Sequence, residues 1–171
     1  MTARLWITLL HCIIAPLVFA DSPSKMELGL LRPAVGIYNI SRSGQRVANF
    51  QLEYDFPYSL WLFKPFFGLN YNSDIDFYGY TGVGIEIFFS RSLYLFPTFS
   101  FGYYRYGGHG LDLGYPMEFR EGLELGWIFK NDWRLSFAFY HMSNSSMGRS
   151  NPGAETLFLS FSVPIALSRP E

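Results

Sequence analysis

The chain has 171 residues, enough for one domain with its own core, and its formal net charge of −1 gives no electrostatic reason to expect nucleic acid. Aromatic residues make up 20% of it and charged ones 16%, the latter well below the usual share of about 25%. The single cysteine, Cys12, lies in a segment expected to be removed, which excludes a disulfide scaffold.

Met1–Ala20 has a short basic start at Arg4, an apolar run from Leu5 to Phe19 and small or apolar residues up to Ala20. That pattern reads as a secretory signal peptide cleaved near Ala20–Asp21. The run is short for a spanning helix and is broken by His11 and Pro16. His11 also occupies the position before Cys12 where a lipoprotein signal needs a small residue, so no lipid anchor is expected. The mature domain is then 21–165, with a tail over 166–171. Nothing after the leader is apolar for long enough to make a membrane helix. Abundant aromatics, scarce charge and no spanning helix point to a membrane β-barrel.

Period-2 alternation locates the strands. From about Glu27 to Asn39 the run is mixed, with Leu31, Val35 and Ile37 on one parity and Arg32, Gly36 and Tyr38 on the other. Val47–Asp55 alternates cleanly, Ala48, Phe50, Leu52 and Tyr54 against Asn49, Gln51 and Glu53. Trp61–Tyr71 sets Trp61, Phe67, Leu69 and Tyr71 against Lys64, Gly68 and Asn70. Phe77–Phe89 sets Val83, Ile85 and Ile87 against Tyr80, Gly82 and Glu86. Leu93–Arg105 sets Leu95, Phe99 and Phe101 against Thr98, Ser100 and Gly102. In Met117–Ile128, Phe119, Leu123, Leu125 and Trp127 oppose Glu118, Arg120, Gly122 and Glu124. Asp132–His141 and Ala154–Val163 repeat the pattern, with Arg134, Ser136 and Ala138, then Thr156, Ser160 and Ser162, on the polar side.

These eight strands, most about ten residues long, have the length of transmembrane strands. The expected fold is all-β, an eight-stranded antiparallel transmembrane β-barrel. A barrel of that size is filled by its own side chains, so Glu53, Lys64, Glu86, Glu118, Arg120, Glu124 and Arg134 are expected to form a lumenal network rather than line a pore. Trp61, Tyr71, Tyr103, Trp127 and Trp133 would supply aromatic girdles. Pro57–Ser59, Ser90–Arg91 and Lys130–Asn131 read as short periplasmic turns, and 41–46, 72–76, 106–116 and 144–153 as outer loops. Pro33, Pro65 and Pro97 fall inside strands, where bulges or shifted boundaries are expected. Glu121 falls on the apolar parity with no account from the pattern.

The stretch Phe139–Glu155, FYHMSNSSMGRSNPGAE, carries the chemistry. His141 and Ser143 are two apart at a strand end, so they share a face about 6.6 Å apart along the chain. A hairpin folded symmetrically about Gly148 opposes His141 to Glu155, with Cβ atoms roughly 4.5–5.5 Å apart. A carboxylate could then orient an imidazole that deprotonates a serine. By the pleat all three share the parity of Phe137, Phe139 and Leu157, the outward face near the outer rim. Ionisable groups at a lipid boundary are expensive and usually functional, so the substrate implied is itself a lipid. His109 sits in a Gly-rich loop without a nearby serine and reads as part of a solvated loop.

Over roughly Phe119–Ile165 the sequence resembles the lipid A 3-O-deacylase (PagL) family of outer-membrane barrels. The resemblance rests on His141-x-Ser143-Asn144, on Asn151-x-Gly153-x-Glu155 and on the final strand ending Val163-Pro164-Ile165. It implies a serine esterase of the bacterial outer membrane that removes the ester-linked 3-O acyl chain from lipid A, with no cofactor and no metal. Ser143 would be nucleophile, His141 general base and acid, and Glu155 its orienter. Asn144 would lie at the oxyanion hole, completed by backbone amides near Ser145 and Ser146. Ser145-Ser146 stands where a small Ala-Gly pair is expected, and the tail 166–171 runs past the usual aromatic finish, which leaves an internal assembly signal around Phe161. The partners implied are lipopolysaccharide in the outer leaflet, the membrane itself and, as an open alternative, a second copy in a homodimer. Two other readings stay open at this point. One is an outer-membrane phospholipase A, which shares His-x-Ser-Asn but uses an asparagine as its third residue, calcium and twelve strands. The other is a non-catalytic small barrel, an adhesin or membrane-integrity protein.

Overall fold

The computed structural model describes residues 28–165; the expected leader over 1–20, Cys12, the start of the first strand at Glu27 and the tail over 166–171 lie outside the described residues. The elements are β1 (Gly29–Tyr38), β2 (Val47–Asp55), β3 (Lys64–Asn72), β4 (Phe77–Gly84), β5 (Ile87–Phe88), β6 (Leu93–Arg105), β7 (Met117–Ile128), β8 (Arg134–Ser143) and β9 (Ala154–Ile165). Sequential strands pair antiparallel, β1 pairs with β9, and β4 and β5 both pair with β6. Because β4 and β5 are successive pieces of one strand, the sheet closes as a barrel of eight strand positions. Closure satisfies the backbone without leaving an edge in lipid.

The prolines are accommodated by gaps, not by bulges. Ile85 N–H donates to Pro97 O at 3.1 Å, but Pro97 has no N–H to return, and this splits the fourth strand into β4 and β5. Register is the same on both sides, Gly84 opposite Thr98 and Ile87 opposite Leu95. Likewise the β1–β9 ladder skips Arg32 and Pro33 and resumes unchanged at Ala34. Pro65 lies just past the end of the β2–β3 ladder. The third strand begins at Lys64, later than the pattern indicates, because Trp61 is held at φ 61°, outside any extended conformation. The connection 56–63 is accordingly longer than the short turn expected at Pro57–Ser59, and contains an isolated bridge between Leu60 and Phe63.

Even-numbered positions of β1, β3, β4 and β6 to β9 and odd ones of β2 point into the barrel and fill it. Arg32, 1% exposed, bonds Glu124 and Asp55 and lies 3.8 Å from Glu53 Oε1. Arg120 donates to Gln51 Oε1 at 2.6 Å and Glu53 Oε2 at 3.1 Å, with its guanidinium between the rings of Tyr80 (3.9 Å) and Tyr140 (4.2 Å). Tyr80 and Tyr94 hydroxyls donate to Glu53 and Glu124, each at 2.7 Å. Towards the other end Glu86 pairs with Arg134 and, at 3.3 Å, with Lys64. The expected network therefore exists, enlarged by Arg32 and Asp55. Glu118 is the exception: it is buried, and neither carboxylate oxygen has a partner among the described residues. Gly122 and Gly126 on the inward parity leave room for the rings of Tyr140 and Tyr94.

The opposite parity forms an apolar outer wall, with Phe50, Leu52, Leu69, Phe101, Leu125 and Phe137 among the exposed side chains. Tyr71 and Tyr103 border it at one end, and Trp61, Trp127 and Trp133 at the other. The connections 39–46, 106–116 and 144–153 gather at the Tyr71 end, while 89–92 and 129–133 turn at the Trp127 end. Short turns face the periplasm and long loops the exterior, so the Tyr71 end is the outer rim.

Candidate active site

The site is built at the outer end of the β8–β9 hairpin. The ladder pairs His141 with Glu155, and on the other side β7 sets Glu121 opposite His141 and Phe119 opposite Ser143. Tyr140, Met142, Ala154 and Thr156 point inward and are buried, so the pleat turns His141, Ser143 and Glu155 outward together. They stand at the top of an apolar wall whose next rungs are Leu123, Phe139 and Leu157.

His141 Nδ1 lies 3.2 Å from Glu155 Oε1. A carboxylate only accepts, so Nδ1 carries a proton, and in the neutral tautomer this bond selects, Nε2 is the nitrogen with the free lone pair. The pair is half-open, with side chains 37% and 26% exposed. No hydrogen bond joins Ser143 to His141 among the described residues; such bonds are often long before substrate binds. Gly153 has φ +64°, and a Cβ there would lie 2.9 Å from His141 Cε1 and 3.5 Å from Nε2. The backbone of residue 153 thus forms the floor beneath the imidazole.

After Ser143 the chain turns sharply. Ser145 and Ser146 have φ 51° and 63°, and Met147 N–H donates to Asn144 O at 3.0 Å. This is the pattern of a type I′ turn, in which two consecutive left-handed residues are costly without glycine. Asn144 is fully buried beside Ser143. Its side-chain amide donates to Leu113 O and Ser150 O, each at 2.8 Å, and its backbone N–H to Asn151 Oδ1 at 3.0 Å. Its donors are therefore committed to holding the turn. The backbone N–H groups of Ser145 and Ser146 have no acceptor among the described residues.

Two contributors escape a reading of the hairpin alone. Ser41 Oγ bonds Glu155 Oε2. Arg42 donates to Gly153 O at 3.0 Å, Pro152 O at 2.7 Å and Asn39 Oδ1 at 2.8 Å. The available signal was closure itself: the end of β1 must lie beside the start of β9, and Ile40 N–H donates to Glu155 O at 3.0 Å. Glu121, the parity exception, sits on the outer wall directly across from His141. His141 thereby has a glutamate opposite it on each neighbouring strand, of which Glu155 bonds the ring. His109 is exposed in 106–116, a connection that reaches the site through the Leu113 carbonyl.

The arrangement can supply a hydroxyl, an imidazole oriented by a carboxylate and, among the described residues, two backbone N–H groups without an acceptor, all at the outer rim. A family model described as lipid A 3-O-deacylase (PagL) matches residues 48–164. No curated protein matches the sequence. Among solved structures, the crystal structure of the outer membrane enzyme PagL aligns with TM-score 0.57 at 19% identity, covering 80% of this chain and 99% of that one. A de novo designed transmembrane β-barrel aligns with TM-score 0.55 at 12% identity, covering 82% of this chain and 98% of the other.

Proposed function

Since the chain belongs to the lipid A 3-O-deacylase (PagL) family, an ester hydrolase of the bacterial outer membrane, we propose that it cleaves the 3-O acyl ester of lipid A with Ser143 as nucleophile, His141 as base and Glu155 as orienter. The observation that carries this reading is the outward His141–Glu155 pair, 3.2 Å apart, on the same face as Ser143. Ser143 Oγ attacks the ester carbonyl carbon while His141 Nε2 takes its proton. The negative charge that develops on the carbonyl oxygen is met by the N–H groups of Ser145 and Ser146, with Asn144 holding the turn that presents them. The imidazolium then gives its proton to the sugar oxygen, which leaves as a hydroxyl. Water, deprotonated by the same nitrogen, attacks the acyl-enzyme; the acyl carbon–Oγ bond breaks, the imidazolium returns its proton to Ser143 Oγ and the fatty acid is freed.

The outer wall explains the class of substrate. The ester of a lipid held in the outer leaflet reaches Ser143 sideways, with its chain along Phe139 and Leu157, and never enters the packed lumen. A phospholipase A of twelve strands does not fit eight strand positions.

The test is mass spectrometry of lipid A from a host lacking such an enzyme. Expression of the wild-type chain is expected to remove one hydroxyacyl chain. Ser143→Ala and His141→Asn should insert normally and lower the rate by at least about a thousandfold. Deacylation by Ser143→Ala at the wild-type rate would reject the serine as nucleophile.

A further inference from the structure

We propose that Ser41 is a positioning residue for this reaction, holding Glu155 in the orientation that aims it at His141. The inference rests on the Ser143–His141–Glu155 reading. Glu155 uses its two oxygens separately, Oε1 towards His141 Nδ1 and Oε2 for the hydroxyl of Ser41. The terminal torsion of a glutamate is broad and roughly two-fold, so a carboxylate with one partner swings readily. A second bond on the other oxygen removes that freedom.

Ser41 does not reach Glu155 from a loose loop. The residue before it, Ile40, donates its N–H to Glu155 O at 3.0 Å, and the residue after it, Arg42, grips the Pro152 and Gly153 carbonyls. The chain on both sides of Ser41 is therefore fixed to the segment that ends in Glu155. Ser41 itself is exposed and packs into no core, so little stability depends on its side chain. β1, which leads into Ser41, and β8, which ends in Ser143, flank β9 on opposite sides, so Ser41 reaches Glu155 from the side away from Ser143. It acts through the carboxylate.

The experiment compares the full-length wild-type chain with Ser41→Ala, Ser41→Thr, Ser143→Ala and Glu155→Ala, using purified lipid A as substrate and thermal unfolding of each barrel as control. For Ser41→Ala the expected result is a kcat about tenfold lower, the loss of one hydrogen bond to a charged group in an open setting, with KM unchanged. Ser41→Thr, which keeps the hydroxyl, should restore most of the rate. A wild-type kcat in Ser41→Ala alongside inactive Ser143→Ala and Glu155→Ala would overturn this inference and leave the hydrolytic reading intact. A change in KM alone would make Ser41 a substrate contact instead. Equal slowing in Ala and Thr variants with a lowered unfolding temperature would make it a mere brace. Undiminished activity in Glu155→Ala or Ser143→Ala would remove the underlying reading, and this inference with it.

Discussion

Gly153 decides how closely the backbone approaches the imidazole. Its φ of +64° disfavours any side chain, and a Cβ would press on His141 Cε1 from 2.9 Å. Gly153→Ala is therefore expected to cost about 1 kcal/mol of stability and, by shifting the imidazole, about a hundredfold in kcat. Unfolding and lipid A deacylation measured on the same sample check both, and an unchanged rate would show that the ring can move freely. The glycine is visible in the sequence as part of Asn151-x-Gly153-x-Glu155, but the reason for it is not, since the contact runs across a hairpin. Asn144 teaches the converse. Its place next to Ser143 suggests an oxyanion donor, and tertiary contacts with Leu113 and Ser150 occupy its amide, which is why the proposed mechanism gives that work to the backbone of Ser145 and Ser146. Glu121 breaks the alternation at the rung it shares with His141.

Three outer connections meet at the site, and each contributes something different. The 144–153 connection supplies the turn, 106–116 the Leu113 carbonyl that anchors it, and 39–46 the Ser41 hydroxyl and the Arg42 guanidinium. Arg42 makes two hydrogen bonds to 144–153 and one within its own connection. Arg42→Ala should leave the barrel folded, loosen 144–153 and lower kcat about tenfold through a misplaced Gly153. Trypsin digestion reads the loosening directly: cleavage after the exposed Arg149 is expected to accelerate. Cleavage at the wild-type rate would mean that Arg42 does not hold the hairpin loop. The strands themselves were legible from alternation, with errors where prolines and left-handed turn residues intervene. Pro97 divides the fourth strand by withholding one N–H, and Trp61 delays the third by its φ.

The whole molecule is a barrel with a filled lumen and an apolar outer wall. Apart from Glu118, the charge in its lumen is held in pairs, and Arg32 is the hub, joined to Glu124 and Asp55 and near Glu53. Arg32→Met would leave Asp55 and Glu124 buried without their cation, while Glu53 keeps Arg120, a loss expected at about 3–5 kcal/mol. The shift in electrophoretic mobility that marks the folded barrel should vanish at a lower temperature than in the wild type. Deacylation per folded molecule should stay near wild type, since the site faces away from the lumen. A drop in both together would mean that the network shapes the site as well as the barrel.

The sequence by itself determined the strand count, the two parities and the hairpin that opposes His141 to Glu155, because a pleat of period two and a short connection are local properties. Only the tertiary structure decided what surrounds that hairpin. The closure of β1 on β9 brings Ser41 and Arg42 to Glu155 and Gly153 across more than a hundred residues, and the packing of 106–116 claims the Asn144 amide. Contacts between segments so distant along the chain leave no periodic trace; they exist only once the cylinder is shut.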